Sequence, residues 1–197
     1  KQKDSLKQFT RYLPTLQLKK QQLQTVIRQS YAEIEELKVK QKEAVEGMKS
    51  WIAVYGENSS WSEERSISHL VKVKEVKKTK GNIAGVEVPV FQSLVFEDVP
   101  YDLRVYPLWV DKAIVALGEI ARYDALIETL KERIRLLDKE LRTTTQRVNL
   151  FEKVKIPEAK ENIRKIGIYL QDQQTSAVVR GKIAKKKLGK VRKKMKK

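Results

Sequence analysis

Leu6, Phe9, Leu13, Leu16, Lys20, Leu23, Ile27, Ser30, Ile34, Leu37, Gln41, Ala44, Met48, Trp51 and Tyr55 follow one another in alternating steps of three and four. Twelve of these fifteen positions are apolar, so the stripe persists over the whole run. A 3.5-residue repeat held that long keeps one narrow face turned toward a partner helix and specifies a coiled coil. A second seam runs through Ile120, Tyr123, Ile127, Leu130, Ile134, Leu137, Leu141, Thr144, Val148 and Phe151. One chain therefore carries both halves of an antiparallel pair. The expected fold class is mainly α: a long antiparallel two-helix coiled coil formed by the N- and C-terminal segments, with a small central insert containing a β-hairpin. Residues 1–60 form the N-terminal coiled-coil helix, 61–106 the insert, and 107–197 the C-terminal helix with a basic tail, together one elongated module.

The boundaries follow from local chemistry. Proline is tolerated in a first helical turn and kinks a helix interior, so the first helix is expected from about Pro14, or a little earlier, to Tyr55, with 1–13 as a separate or kinked leading segment. Gly56 is placed to end it in the left-handed capping position. From about Ser68 the period changes from helical to alternating. Val71-Lys72-Val73-Lys74 and Val86-Glu87-Val88-Pro89-Val90 read as two strands, with the turn near Gly81-Asn82. Pro89 marks an edge strand because it donates no backbone hydrogen bond. An isolated hairpin is marginal in water, so this one must lean on the helices or on another protein. The second helix is expected to open at Pro107. After Phe151 its seam slips, and Ile156, Ala159, Ile163, Ile166 and Leu170 resume out of phase, as a stutter does. A register with Trp51 level with Ile120 sets Pro14 roughly opposite Pro157. It also leaves the chain beyond about residue 170 as an unpartnered basic helix. At about 1.5 Å per residue, a paired stretch of some 45 residues makes a rod roughly 70 Å long.

Composition narrows the function. Of the formal charge of +17, the eleven basic and no acidic residues from Arg180 to Lys197 account for most, a tail suited to an anionic partner. With no cysteine, disulfides and thiolate metal sites are excluded, and a reducing cytoplasm is compatible. His69 is the single histidine, so neither a Ser-His-Asp triad nor a histidine metal site has its full set of groups, and a strand-entrance role is the simpler reading. Arg180-Gly181-Lys182 lacks the earlier glycine and the following Ser/Thr of a phosphate loop. Acidic pairs such as Glu35-Glu36 and Glu63-Glu64 stand among lysines on faces expected to be solvated. No catalytic, cofactor-binding or metal-ligating residue is expected, and the chain is not expected to be an enzyme. Trp51, Trp61 and Trp109 gather near the insert, as a small core or as anchors for a partner.

Arg147-Val148-Asn149-Leu150-Phe151-Glu152, with Ile156-Pro157 shortly after, resembles the motif late in the D subunit of V-type ATPases and ATP synthases, where Arg-Val-Asn-Ala-Leu-Glu precedes Ile-Pro. Leu150-Phe151 here replaces Ala-Leu. Leu16-Gln17-Leu18-Lys19-Lys20-Gln21-Gln22-Leu23 is similar to that family's Leu- and Lys-rich opening, and the order helix, hairpin-bearing insert with Val88-Pro89-Val90-Phe91, helix agrees. The resemblance implies a central rotor shaft in a cytoplasmic, peripheral membrane complex. Its partners would be the catalytic and non-catalytic nucleotide-binding head subunits, the small rotor F subunit and a socket subunit at the membrane ring, with no direct nucleic acid. On that footing Leu23, Ile27, Ile34 and Leu37 are expected to hold the shaft against Ile127, Leu130, Ile134 and Leu137. The motif residues are Arg147, Val148, Asn149, Glu152, Ile156 and Pro157. Val71, Val73, Val86 and Val88 are the hairpin and partner contacts, and Lys185, Lys186, Lys187, Arg192 and Lys193 the tail in the head's channel. Lys20, Ser30 and Gln41 interrupt the seam and set its register. The competing expectation is a coiled-coil adaptor that binds nucleic acid or anionic membrane through its lysine-rich tail. A prefoldin-like chaperone hairpin is a third, which the basic tip disfavours.

Overall fold

A computed structural model describes residues 1–56, 69–102, 104, 106 and 109–194, with side chains described throughout these except at 50–56 and 190–194. Helix α1 spans Gln2–Gly56, strands β1 and β2 span Val73–Ile83 and Val86–Phe96, and helix α2 spans Val110–Leu150. A π-helical segment, Phe151–Lys155, leads into helix α3, Ile156–Lys194. Among the described residues the chain is mostly helical, with one two-stranded antiparallel sheet. It divides into two compact units, Lys19–Thr144 and Lys1–Leu18 with Thr145–Lys197. The expected helix start at Pro107, the acidic pair Glu63-Glu64, and the side chains of Trp51 and Trp61 lie outside the described residues.

In the unit Lys19–Thr144 one buried cluster joins Leu23, Ile27 and Ile34 of α1, Ile127, Leu130, Ile134 and Leu137 of α2, and Val88 of β2, while Met48, Leu70, Val110 and Ala113 are buried outside it. The α1 and α2 members recur at three- and four-residue spacing, so each helix turns a single stripe inward. The hairpin covers this seam through β2, whose Val88 is buried while much of β1 is exposed. The Nζ of Lys78 lies 3.0 Å from Glu132 Oε2 and ties β1 to α2.

The hairpin turns three residues later than the sequence pattern suggests. Ile83 pairs with Val86, and the loop is Ala84-Gly85, with φ of 51° and 79°. Two consecutive positive φ values give the tight turn whose twist matches that of the strands, and glycine takes the second position without strain. Asn82 Oδ1 accepts from the Gly85 N–H at 3.0 Å and closes it. Gly81 is a strand residue with a different task. A Cβ there would stand 2.8 Å from Val90 Cγ2, so the missing side chain lets the paired strand pack closely.

In the unit formed by Lys1–Leu18 and Thr145–Lys197, α1 is helical from Gln2, through Pro14, rather than from Pro14 onward. Leu6, Phe9, Leu13 and Leu16 are partly buried along one face, while Pro14 is exposed. Packing on that face keeps the helix going past the hydrogen bond that proline cannot make. Phe9 stacks on Phe151, with ring centroids 5.3 Å apart. Antiparallel running then carries Pro157 past the level of Pro14 toward about residue 3, so the two prolines do not face each other. The slip after Phe151 has a local cause. Ile156 N–H donates to Phe151 O, a five-residue hydrogen bond, immediately before Pro157. A π-turn inserts one extra residue and widens the helix where the proline ring would otherwise crowd a carbonyl four residues back.

Candidate functional site: the helical seam and the exposed basic helix

Leu23 and Leu137 are 0% exposed and the other seam residues are nearly so, while Leu37 packs half-buried against the cluster. Among the described residues, three polar side chains sit in the buried faces: Ser30, Thr129 and Thr144. Thr129 Oγ1 donates to Ala125 O at 2.7 Å, which satisfies it within its own helix. Small polar groups allow close helix approach without leaving a charge in the seam.

Long polar side chains bracket the seam and fix its register. Lys19 Nζ donates to Glu140 Oε1 at 2.7 Å, Gln41 Nε2 donates to Asp124 Oδ1 at 2.7 Å, and Arg133 Nη1 lies 3.8 Å from Glu33 Oε2. The register set from Trp51 and Ile120 would have put Lys19 opposite Glu152 and Gln41 opposite Leu130. The helices are instead displaced from that register, by about five or six residues at Glu33–Arg133 and Gln41–Asp124 and by about twelve at Lys19–Glu140, because partners are chosen by packing and charge across the seam rather than by its period alone. Gln41 makes a cross-helix hydrogen bond; Lys20 is half-buried, and Ser30 is buried. The Arg133–Glu33 and Gln41–Asp124 partnerships lack a signal in sequence beyond complementary polarity at the seam's margins.

The hairpin valines separate. Val88 is 2% exposed within the helical core, Val86 packs against that core, Val71 is half-buried and Val73 is exposed. Val88 thus serves packing within the chain and is unavailable to a partner, because alternation aims it at the helices. Of the motif residues, Val148 is buried and Ile156 half-buried, while Arg147, Asn149, Glu152 and Pro157 are exposed around the π-turn. His69 is exposed just before β1, and Trp109 is half-buried at the approach to α2.

Helix α3 changes character along its length. Ala159 is buried, yet every residue from Arg164 to Gly189 is exposed, several positions earlier than the expected limit near residue 170. The exposed set includes Ile166, Leu170, Val178, Ile183 and Leu188 along with Lys185, Lys186 and Lys187; Arg192 and Lys193 continue the helix. At the start of this stretch Arg164 grips Glu161 with two hydrogen bonds, Nε to Oε2 at 3.0 Å and Nη2 to Oε1 at 2.9 Å. Those bonds, with the charges of Arg164 and Lys165, hold the Glu161 carboxyl below the usual glutamate range. Among the described residues no helix is long and apolar enough to cross a membrane.

These elements define a helical pairing scaffold: two helices interlocked by an apolar seam, a β-hairpin packed on them, and an exposed basic helix. The chain belongs to the ATP synthase D-subunit family, whose sequence model matches residues 1–186. It is similar to the D subunit of the V-type ATP synthase of Borreliella burgdorferi, 49% identical over 191 residues that cover 95% of this chain and 90% of that protein. The proteins of the same name from Chlamydia muridarum and Chlamydia pneumoniae are 34% and 32% identical, over 95% of this chain and 91% and 88% of theirs.

Proposed function

We infer that the chain is the central rotor shaft of a V-type ATPase or ATP synthase, carrying torque between a nucleotide-hydrolysing head and a membrane ion-translocating ring. It performs no reaction of its own. The observation that carries this reading is the buried seam of Leu23, Ile27 and Ile34 with Ile127, Leu130, Ile134 and Leu137. A torque would have to slide these knobs out of their holes, and close-packed interiors resist that because every displaced side chain loses its contacts. Family membership supports the complex to which the shaft belongs.

The partners are assigned by chemistry and by that membership. The exposed helix from Arg164 onward presents apolar and basic side chains together, a surface for the acidic lining of the head's channel, formed by catalytic and non-catalytic nucleotide-binding subunits. The hairpin end meets the small rotor F subunit and the socket subunit. An asymmetric shaft offers a different face to each of several equivalent sites, so it holds them in different states. The complex is peripheral to the membrane on its cytoplasmic side.

The test is affinity purification of the tagged chain from its native cell in mild detergent, with mass spectrometry and an ATPase assay. Recovery of two large nucleotide-binding subunits, a small rotor subunit and ATPase activity supports the shaft. Recovery of nucleic acid or bare lipid instead supports the tail-driven adaptor. Deleting 181–197 is expected to impair head assembly or ATP-driven rotation, and unchanged rotation removes the tail from the mechanism.

A further inference from the structure

Beside the seam lies a groove of about 390 Å³, built between the end of β2, the segment after it and the first turns of α2. Its apolar surface comes from Leu70, Phe96, Val99, Ile114 and Val115. Phe96 lies over Gly118, its ring 3.6 Å from where a Cβ would be, and so forms one wall against the α2 backbone. The other wall is pinned at both ends. Glu97 N–H donates to Lys72 O at 2.8 Å, and the Tyr101 hydroxyl donates to the Asp111 carboxylate of α2. The groove is therefore held open by the fold. Val115 projects into it 66% exposed, in a helix whose neighbouring Ala113 is fully buried.

The rim has the sign opposite to the chain. The protein carries +17, yet Glu97, Asp98 and Glu119 line this groove against one cation, Arg122. All three carboxylates are exposed, and none enters an ion pair among the described residues. An apolar floor under an acidic rim fits a segment that presents an apolar side chain between lysines or arginines. The chain's own residues 57–68 are a poor match, since Glu57, Glu63 and Glu64 outnumber Arg65 there and would bring like charge to the rim.

We propose that this groove is the docking site for a basic amphipathic segment of a partner subunit, seating an apolar side chain against Phe96 and Val115 between the carboxylates of Glu97, Asp98 and Glu119. The proposal rests on the reading of the chain as one subunit of a larger complex, and it adds the chemistry by which the insert end is recognised.

A photo-reactive benzoylphenylalanine at position 115, in the full chain within the purified complex, tests it. The site is solvent-facing, so the fold is kept, and circular dichroism checks this. The expected result is a cross-link to another subunit, in a stretch with an apolar residue within one helical turn of two or more Lys/Arg. Combining Glu97→Lys, Asp98→Lys and Glu119→Lys should weaken that partner's retention by about tenfold or more, with a loss that shrinks at high salt, since rim charges act over a Debye length of roughly 8 Å. A cross-link within residues 57–68, to a second copy of the chain or to a stretch without basic residues overturns the proposal, as does no cross-link or unchanged retention after charge reversal. If nucleotide-binding subunits still co-purify in those cases, the groove assignment fails alone and the shaft reading stands. If they do not co-purify, the shaft reading fails, and the peptide captured at position 115 decides the groove separately.

Discussion

Leu137→Ala tests whether the seam is what holds the two helices. Leu137 is 0% exposed and sits in the cluster with Leu23, Ile27, Ile34 and Val88, so it is enclosed by both helices and the hairpin. The substitution removes three carbons, which at about 0.8 kcal/mol for each buried CH₂-sized group is roughly 2.4 kcal/mol of transfer free energy. The hole adds to this, because three elements cannot all collapse into it, and the total expected loss is about 3–5 kcal/mol. Urea denaturation of the full chain, followed by circular dichroism, reads it as a lower midpoint at unchanged slope. Leu188→Ala is the internal control: that leucine is 70% exposed, and its loss should stay within about 0.5 kcal/mol. A Leu137→Ala loss below about 1 kcal/mol, or one no larger than that of Leu188→Ala, would refute the argument. On the proposed reading of the chain as a rotor shaft, the same change should also lower ATP-driven rotation of the assembled complex.

Three further outcomes follow from particular contacts. Gly81→Ala should destabilise the hairpin by about 1–3 kcal/mol, since the new methyl meets Val90 at 2.8 Å, and amide exchange should accelerate across β1 and β2 before it does in α2. A double-mutant cycle on Lys19 and Glu140 should return a coupling of about 0.5–1 kcal/mol that salt reduces, because both side chains are about 30% exposed; a coupling above about 2 kcal/mol would contradict a pair that solvent reaches. The Tyr101 hydrogen bond to Asp111, with burial and the carboxylate's charge, raises the phenol above its ordinary value of 10.0. The stability it contributes is therefore complete below pH 10 and is lost as pH rises through the higher folded value, and Asp111→Asn should bring ultraviolet titration of Tyr101 back toward the ordinary range.

What the sequence by itself determined is what depends on period and on charge. Alternating steps of three and four from Leu6 to Tyr55 and from Ile120 to Phe151 require two long helices with one apolar stripe each, because side-chain direction along a helix is set by geometry local to the chain. Alternation around Val71–Lys74 and Val86–Val90 likewise required strands, and the slip after Phe151 marked the place where the π-turn lies. The cluster Arg180–Lys197 announced a basic tail before any fold was known, while its helical form, through Lys194, is a finding of the structure. Only the tertiary structure decided how these pieces meet. Pro14 continues a helix because residues on both sides of it pack, whereas proline's local preference pointed to a boundary. The turn falls at Ala84-Gly85 because Gly81 is needed under Val90, a demand made by the opposite strand. Register, the burial of Val88, the Gln41–Asp124 hydrogen bond and the acidic rim around Val115 all join residues distant in the chain. A repeat looks the same after a shift of one heptad, so period alone leaves register undetermined. The particular charges, cavities and close approaches across the interface remove that degeneracy, and they exist only once the chain has folded.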